Sequence, residues 1–229
     1  MRKLNVFIIS LFAFYSCSSD ENSSNNSNIE FVTIGTQIWQ SKNLDVETYR
    51  DGTPIPQVTD PTQWANLTTG AWCYYNNDPA NNAIYGKLYN WYAVAGIHDN
   101  DPSTPNKILA PQGWHIPSDA EWTQLTDFLG GELVAGGKMK STGTLQAGTG
   151  LWESPNESAT NESGFTGLPA GFRSTLMPFY SIGGYGSWWS LSESNTSAAW
   201  YRHLNNMNGN VYIDYTYKRF GNSVRCVKD

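Results

Sequence analysis

Cysteine, histidine and charge are all scarce in this chain, and each scarcity closes off a class of function. Only 3 cysteines and 3 histidines occur in 229 residues. His98, His115 and His203 stand far apart, without the short-spaced ligand pair that zinc sites use. No cysteine pair is close in sequence, and the order of Ser, His and Asp argues for no hydrolytic triad. Charged residues make up 15% of the chain, 14 basic against 20 acidic, and no Lys/Arg cluster is present. An acidic chain without a basic patch argues against nucleic acid and anionic lipid surfaces as partners. No catalytic signature rises above its plainer reading, so the expectation is a protein that is not an enzyme.

One apolar stretch is present near the start. Val6 to Tyr15 follows Arg2 and Lys3 and is too short to cross about 30 Å of hydrocarbon, so residues 1–16 read as a secretory signal. It ends in Ser16-Cys17, which looks like a bacterial lipobox. Cys17 is then the lipid-attachment residue, and its acyl chains exceed the single chain that gives only marginal membrane binding. An ordinary signal peptide with a stray cysteine is the alternative. Ser18 to Asn28 is wholly polar, so residues 17–28 read as a lipidated cysteine and flexible tether. Asp20 and Glu21 resemble an acidic export signal of Gram-negative lipoproteins. The expected place is the outer membrane, exposed at the cell surface, with the membrane as partner through the N-terminal lipid.

Residues 29–229 are long enough for one domain with a substantial core. With 21 Gly, 10 Trp and 13 Tyr, the composition suits a loop-rich α+β fold of small antiparallel sheets rather than a helical bundle. Phe31 to Ile34 and Gln37 to Trp39 alternate around Gly35-Thr36, a hairpin pattern. Asp60 and Pro61 open one helical turn, and Ala71 to Tyr75 reads as a buried strand. Leu88, Trp91, Tyr92 and Ala95 share a helical face, which predicts a helix over residues 85–95. The clearest element follows Pro117. Ser118 and Glu121 form a capping box, Trp122, Leu125, Phe128 and Leu129 make an apolar stripe, and Gly130-Gly131 stops the helix. A short helix over residues 132–140 has to accommodate Gly136 and Gly137. Residues 141–163 read as a long Gly/Asn-rich loop. Strands over residues 183–192, 198–204 and 211–217, the last two around Asn208-Gly209, and over 223–227 complete the chain.

Several ordered segments resemble the Fibrobacter succinogenes major paralogous domain (FISUMP) family of bacterial surface lipoproteins. They are IGTQIW at residues 34–39, CYYNND at 73–78, YGKLYNW at 85–91, GWHIPS at 113–118, GFTGLPAGFR at 164–173, WWS at 188–190 and the closing residues 221–229. The resemblance spans nearly all of residues 29–229. It implies a C-type-lectin-like fold, distantly related to formylglycine-generating enzymes, with terminal strands brought together, two main helices and long loops at one end. Some family members carry a cysteine where this chain has Ala110.

Cys73 and Cys226, the two cysteines after Cys17, most simply form a disulfide in an exported domain. Two buried thiols, or a catalytic pair like that of formylglycine-generating enzymes, are the alternatives. Asn76, Asp78, Asp99 and Asp101 offer oxygen ligands, which makes calcium the one cofactor to consider, although turn formation explains such residues equally well. The aromatic residues invite a ligand platform, because sugar C–H faces stack on rings. Most tryptophans fall on predicted core stripes, which leaves Trp152, Tyr180, Tyr185, Trp189, Trp200 and Tyr201 as binding candidates. The reading is a binding or adhesion module for glycans or for envelope or host proteins. An enzyme or accessory protein of the formylglycine-generating branch and a purely structural surface module are the alternatives.

Overall fold

Gly35-Thr36 turns the chain between β1 (Phe31–Ile34) and β2 (Gln37–Gln40), antiparallel with Ile34 opposite Gln37, as the alternation predicts. The computed structural model describes residues 29–175 and 178–229. The expected signal peptide, Cys17 and the tether to residue 28 lie outside the described residues.

Asp60 accepts the Gln63 N–H at 2.7 Å and opens α1 (Pro61–Ala65). β3 (Trp72–Cys73) pairs with β4 (Leu88–Tyr89), and two 3-10 turns and α2 (Asn82–Tyr85) lie between them. The helix predicted over residues 85–95 is not formed. Gly86 ends α2 at φ 72°, ψ −157°, a conformation that favours glycine. Leu88 and Tyr89 are then held in the ladder, where Tyr89 also exchanges two backbone hydrogen bonds with Asn222. Helical periodicity resumes only for one turn, α3 (Trp91–Val94), capped by the Asn90 side chain.

After β5 (Trp114–His115) come the two longest helices, α4 (Asp119–Phe128) and α5 (Glu132–Met139). The capping box of α4 is complete, with Glu121 Oε2 accepting the Ser118 N–H at 2.8 Å. Trp122, Leu125 and Leu129 are buried, but Phe128 is 63% exposed. Phe128 lies about 90° around the helix from the centre of that stripe, and Thr126 takes the inward place instead. The glycines of α5 are what its packing requires: a Cβ on Gly136 would lie 2.2 Å from the Asn210 carbonyl oxygen.

Among the described residues from 140 to 184 there is no helix and no strand, only isolated bridges. β6 (Tyr185–Asn195), β7 (Ala198–Asn205) and β8 (Tyr212–Tyr217) then form an antiparallel meander. β9 (Val227–Lys228) inserts between β2 and β5, giving the order β1-β2-β9-β5. Five short helices and three small antiparallel sheets among the described residues make the fold α+β, as expected.

Neighbouring Trp188 and Trp189 show how the core is divided. Successive strand residues face opposite ways, so Trp188 packs with Trp39, Trp122, Trp152 and Phe165, while Trp189 packs with Trp72, Tyr89, Trp91 and Trp114. The same parity overturns the expected Cys73–Cys226 disulfide. Trp72 shares the cluster of Cys226, but Cys73, next along β3, faces a third cluster with Trp64, Tyr75 and Leu88. Both cysteines are buried free thiols. Burial pushes the Cys73 thiol up to about 11 and the Cys226 thiol higher still, which leaves both protonated at neutral pH.

Candidate functional site

The register of the β6–β7–β8 meander brings the site residues together. Ser187 and Tyr212 flank His203, and Trp189 and Asp214 flank Tyr201, across the two ladders. Alternation places Tyr201 and His203 on one face. His203 lies nearly parallel to Tyr212, 4.7 Å between ring centres and 10° between planes, and also stacks with Tyr201 at 5.5 Å and Tyr185 at 5.6 Å.

A second wall comes from outside the sheet. Phe172 and Tyr180 exchange backbone hydrogen bonds of 3.1 and 2.9 Å, which holds their rings 5.6 Å apart. Phe220 stacks on the other side of Phe172 at 6.0 Å. Between the two walls is a cavity of about 200 Å³ lined by Phe172, Tyr180, Tyr185, Tyr201, His203 and Phe220, with Ser187, Thr216 and Asn222 completing it.

Two polar atoms there lack partners. Asn222 is 1% exposed and accepts from the Ser187 hydroxyl at 2.9 Å through Oδ1, yet its Nδ2 donates to nothing among the described residues. His203 Nδ1 is buried and equally unpartnered. Burial lowers the His203 pKa below its ordinary value, opposed by the Asp214 charge, so the ring is neutral at pH 7. Burial, with Asp214 and Tyr185 adding to it, raises the Tyr201 phenol to about 12. None of the described lining residues is Lys, Arg, Asp or Glu. The arrangement is a small, uncharged, aromatic-walled recess with one free donor and one free ring nitrogen.

Three of the six expected binding residues, Tyr180, Tyr185 and Tyr201, meet in this cavity. Three do not. Trp152 is fully buried and donates to Ser141 Oγ and the Gly167 carbonyl, both at 3.1 Å, so it is a core residue. Trp189 is also fully buried, with its indole N–H on the Tyr89 carbonyl at 2.8 Å. Trp200 alternates with Tyr201 onto the other face of the sheet and meets Tyr215 edge-on at 5.6 Å. Phe172, His203, Phe220 and Asn222 escape the sequence reading. The i, i+2 spacing of Tyr201 and His203 on one strand was the available signal; Phe220 and Asn222 join only through tertiary contacts.

The four oxygen-rich positions fall in two loops. Asp78 Oδ1 accepts the Ala80 N–H at 2.9 Å, Asp99 Oδ1 that of Asp101 at 3.0 Å, and Asp101 Oδ1 that of Ser103 at 2.9 Å. Asn76 sits at φ 54° in a turn. Turn formation accounts for each of them. Among the described residues no group of three or more His, Cys, Asp or Glu is placed to hold a metal ion.

The fold and cavity together define an α+β domain with a sheet-borne aromatic recess. The chain belongs to the Fibrobacter succinogenes major domain family, whose profile matches residues 32–228. The resemblance carried by the IGTQIW, YGKLYNW and GWHIPS segments is thereby borne out. Comparison with curated proteins and with solved structures returned no match.

Proposed function

We propose that this protein is a binding module held at the outer membrane surface by a lipid on Cys17, with a C-type-lectin-like fold and its ligand site in the β6–β8 recess. The observation that carries the proposal is the convergence of Tyr180, Tyr185 and Tyr201 on one cavity with unpartnered polar atoms. Ligand pockets have this character, mostly apolar walls with a few placed polar groups. In this reading the polar residues 17–28 are the tether, and β1 begins at Phe31, just after them. Calcium is not required by this reading, and a chelator arm tests it.

The test is an array of glycans and envelope proteins probed with the purified full chain, with and without chelator, beside Tyr180→Ala and Tyr185→Ala. Saturable binding that both variants weaken supports the reading. Binding that ignores both variants places the ligand elsewhere, and a chain that binds nothing leaves the module with a structural role. The anchor is read separately: Cys17→Ala should move the protein from the membrane fraction to the soluble one, and protease added to intact cells should degrade the parent.

A further inference from the structure

We infer that the β6–β8 recess takes the end of a neutral saccharide, a single hydroxylated ring that stacks on the tyrosine walls and satisfies Asn222 Nδ2 and His203 Nδ1. This rests on the binding reading above and narrows it to a chemical class. Four observations lead there.

The first is size. A cavity of about 200 Å³ is below the usual range for drug-sized ligands, roughly 300–1,000 Å³, so it suits one ring and not an extended chain. The second is charge. The described walls carry no Lys, Arg, Asp or Glu, and a charged ring would enter without a counter-ion, which costs more than its contacts return. The third is shape. Tyr180 and Tyr185 contribute aromatic rings to the lining, and ring faces suit a C–H face or another ring.

The fourth observation separates sugars from plain aromatic rings. Asn222 is 1% exposed and its Nδ2 lacks an acceptor, while His203 Nδ1 is buried without a partner. A hydrocarbon ring would leave both atoms as unpartnered as they are in the free chain and so gain nothing from them. Hydroxyl groups both donate and accept, so a ring with several can serve both atoms.

The neutral form of His203 is part of the site, because a protonated ring would be a buried charge covered by an uncharged ligand. The groups facing it are Tyr185 and Ser187 on β6, Tyr201 on its own strand, and Tyr212 and Asp214 on β8. Of these Asp214 is the one carboxylate, and it favours the protonated ring. Burial prevails, and binding should therefore hold at pH 7 and fall once the pH drops well below the ordinary histidine value of 6.5.

The experiment is a calorimetric or NMR titration of the purified full chain with the methyl glycosides of glucose, galactose and N-acetylglucosamine. Methyl glucuronide is the charged control, and anisole is the ring without hydroxyls. At least one neutral glycoside should saturate at roughly millimolar concentration, as a small ligand in a shallow recess does. Tyr180→Ala, at a side chain 47% exposed and so harmless to folding, should weaken it about fivefold or more, and His203→Phe likewise. If no neutral glycoside saturates, or if one does with no change in either variant, the inference is overturned. Anisole or glucuronide binding that Tyr180→Ala weakens would overturn the saccharide assignment alone and leave the recess as a ligand site.

Discussion

Residues 140–184 and residues 185–217 are neighbours in sequence but are held together by different means. The second region is the β6–β8 meander, whose ladders pair the backbone N–H and C=O groups with one another. The first has no strand or helix among its described residues, so its buried carbonyls need donors from elsewhere. Cationic side chains supply three of them, the carbonyls of Glu157, Phe165 and Thr166, and hold carbonyls outside the region in the same way. Lys140 gives its three N–H bonds to the carbonyls of Glu157, Asn205 and Asn208 at 2.7, 3.0 and 2.8 Å. Arg225, fully buried, donates to Asn43 Oδ1 and to the carbonyls of Gln40, Phe165 and Thr166, with its guanidinium 4.4 Å from the Phe165 ring. Arg173 does the same for Val58, Thr59 and Asp60. Burial pulls Lys140 down to about 8 and Arg225 to about 9, and both stay charged at pH 7. A chain poor in charge has placed several of its cations inside, as anchors for loops.

The difference can be broken by single substitutions. Arg225→Met takes the guanidinium from three core carbonyls, while Asn43 Oδ1 keeps the Trp188 indole N–H, and should cost about 4 kcal/mol, read from urea unfolding. Lys140→Met should cost about 3 kcal/mol and speed hydrogen exchange in residues 141–163 and in the β7–β8 connection, while the paired stretches of β6–β8 keep their protection. Tyr217→Ala, exposed on the β8 ladder, should cost less than about 1 kcal/mol. A Lys140→Met chain with the parent's exchange pattern would show that the loop finds its donors elsewhere. Gly136→Ala raises helix propensity yet should destabilise by about 2 kcal/mol, because its Cβ meets the Asn210 backbone. A gain in stability there would mean that α5 shifts freely.

The smallest effect depends on pH. His115 lies 2.8 Å from Asp229 and 2.7 Å from Glu121. Burial works to lower its pKa, but hydrogen bonds and charge from both carboxylates prevail and raise it. The stability it contributes is therefore full below the ordinary value of 6.5 and is lost as pH rises through the raised folded value. With the side chain 38% exposed, screening keeps the effect under about 1 kcal/mol. The unfolding midpoint should fall between pH 6 and pH 8.5, and His115→Asn should flatten that fall; an equal slope in the variant would rule the contact out as its source.

Local chemistry was legible in advance where it is self-contained. The Gly35-Thr36 hairpin, the Asp60 cap and the Ser118–Glu121 box each rest on residues a few positions apart, whereas the β7–β8 connection turns at Asn206-Met207 and not at the expected Asn208-Gly209. What failed depended on partners far along the chain. Tyr89 leaves a helical pattern because Asn222 claims its backbone, and Cys73 turns from Cys226 by one step of strand parity. The site followed the same rule. Aromatic residues could be counted, but whether a given one is wall or core was decided by its face: Tyr201 lines the recess and Trp200, beside it, does not.

The position of β9 sets a schedule for the birth of this protein. Val227 stands opposite both Trp39 and His115, so the strand formed near the end of the chain fills the middle of a sheet begun at residue 31. Until that strand emerges, β2 and β5 have no common neighbour and the sheet stays open. A chain cut short before residue 227 would therefore hold the β6–β8 meander but leave β2 and β5 unjoined, so closure of the first sheet waits for the last of its strands.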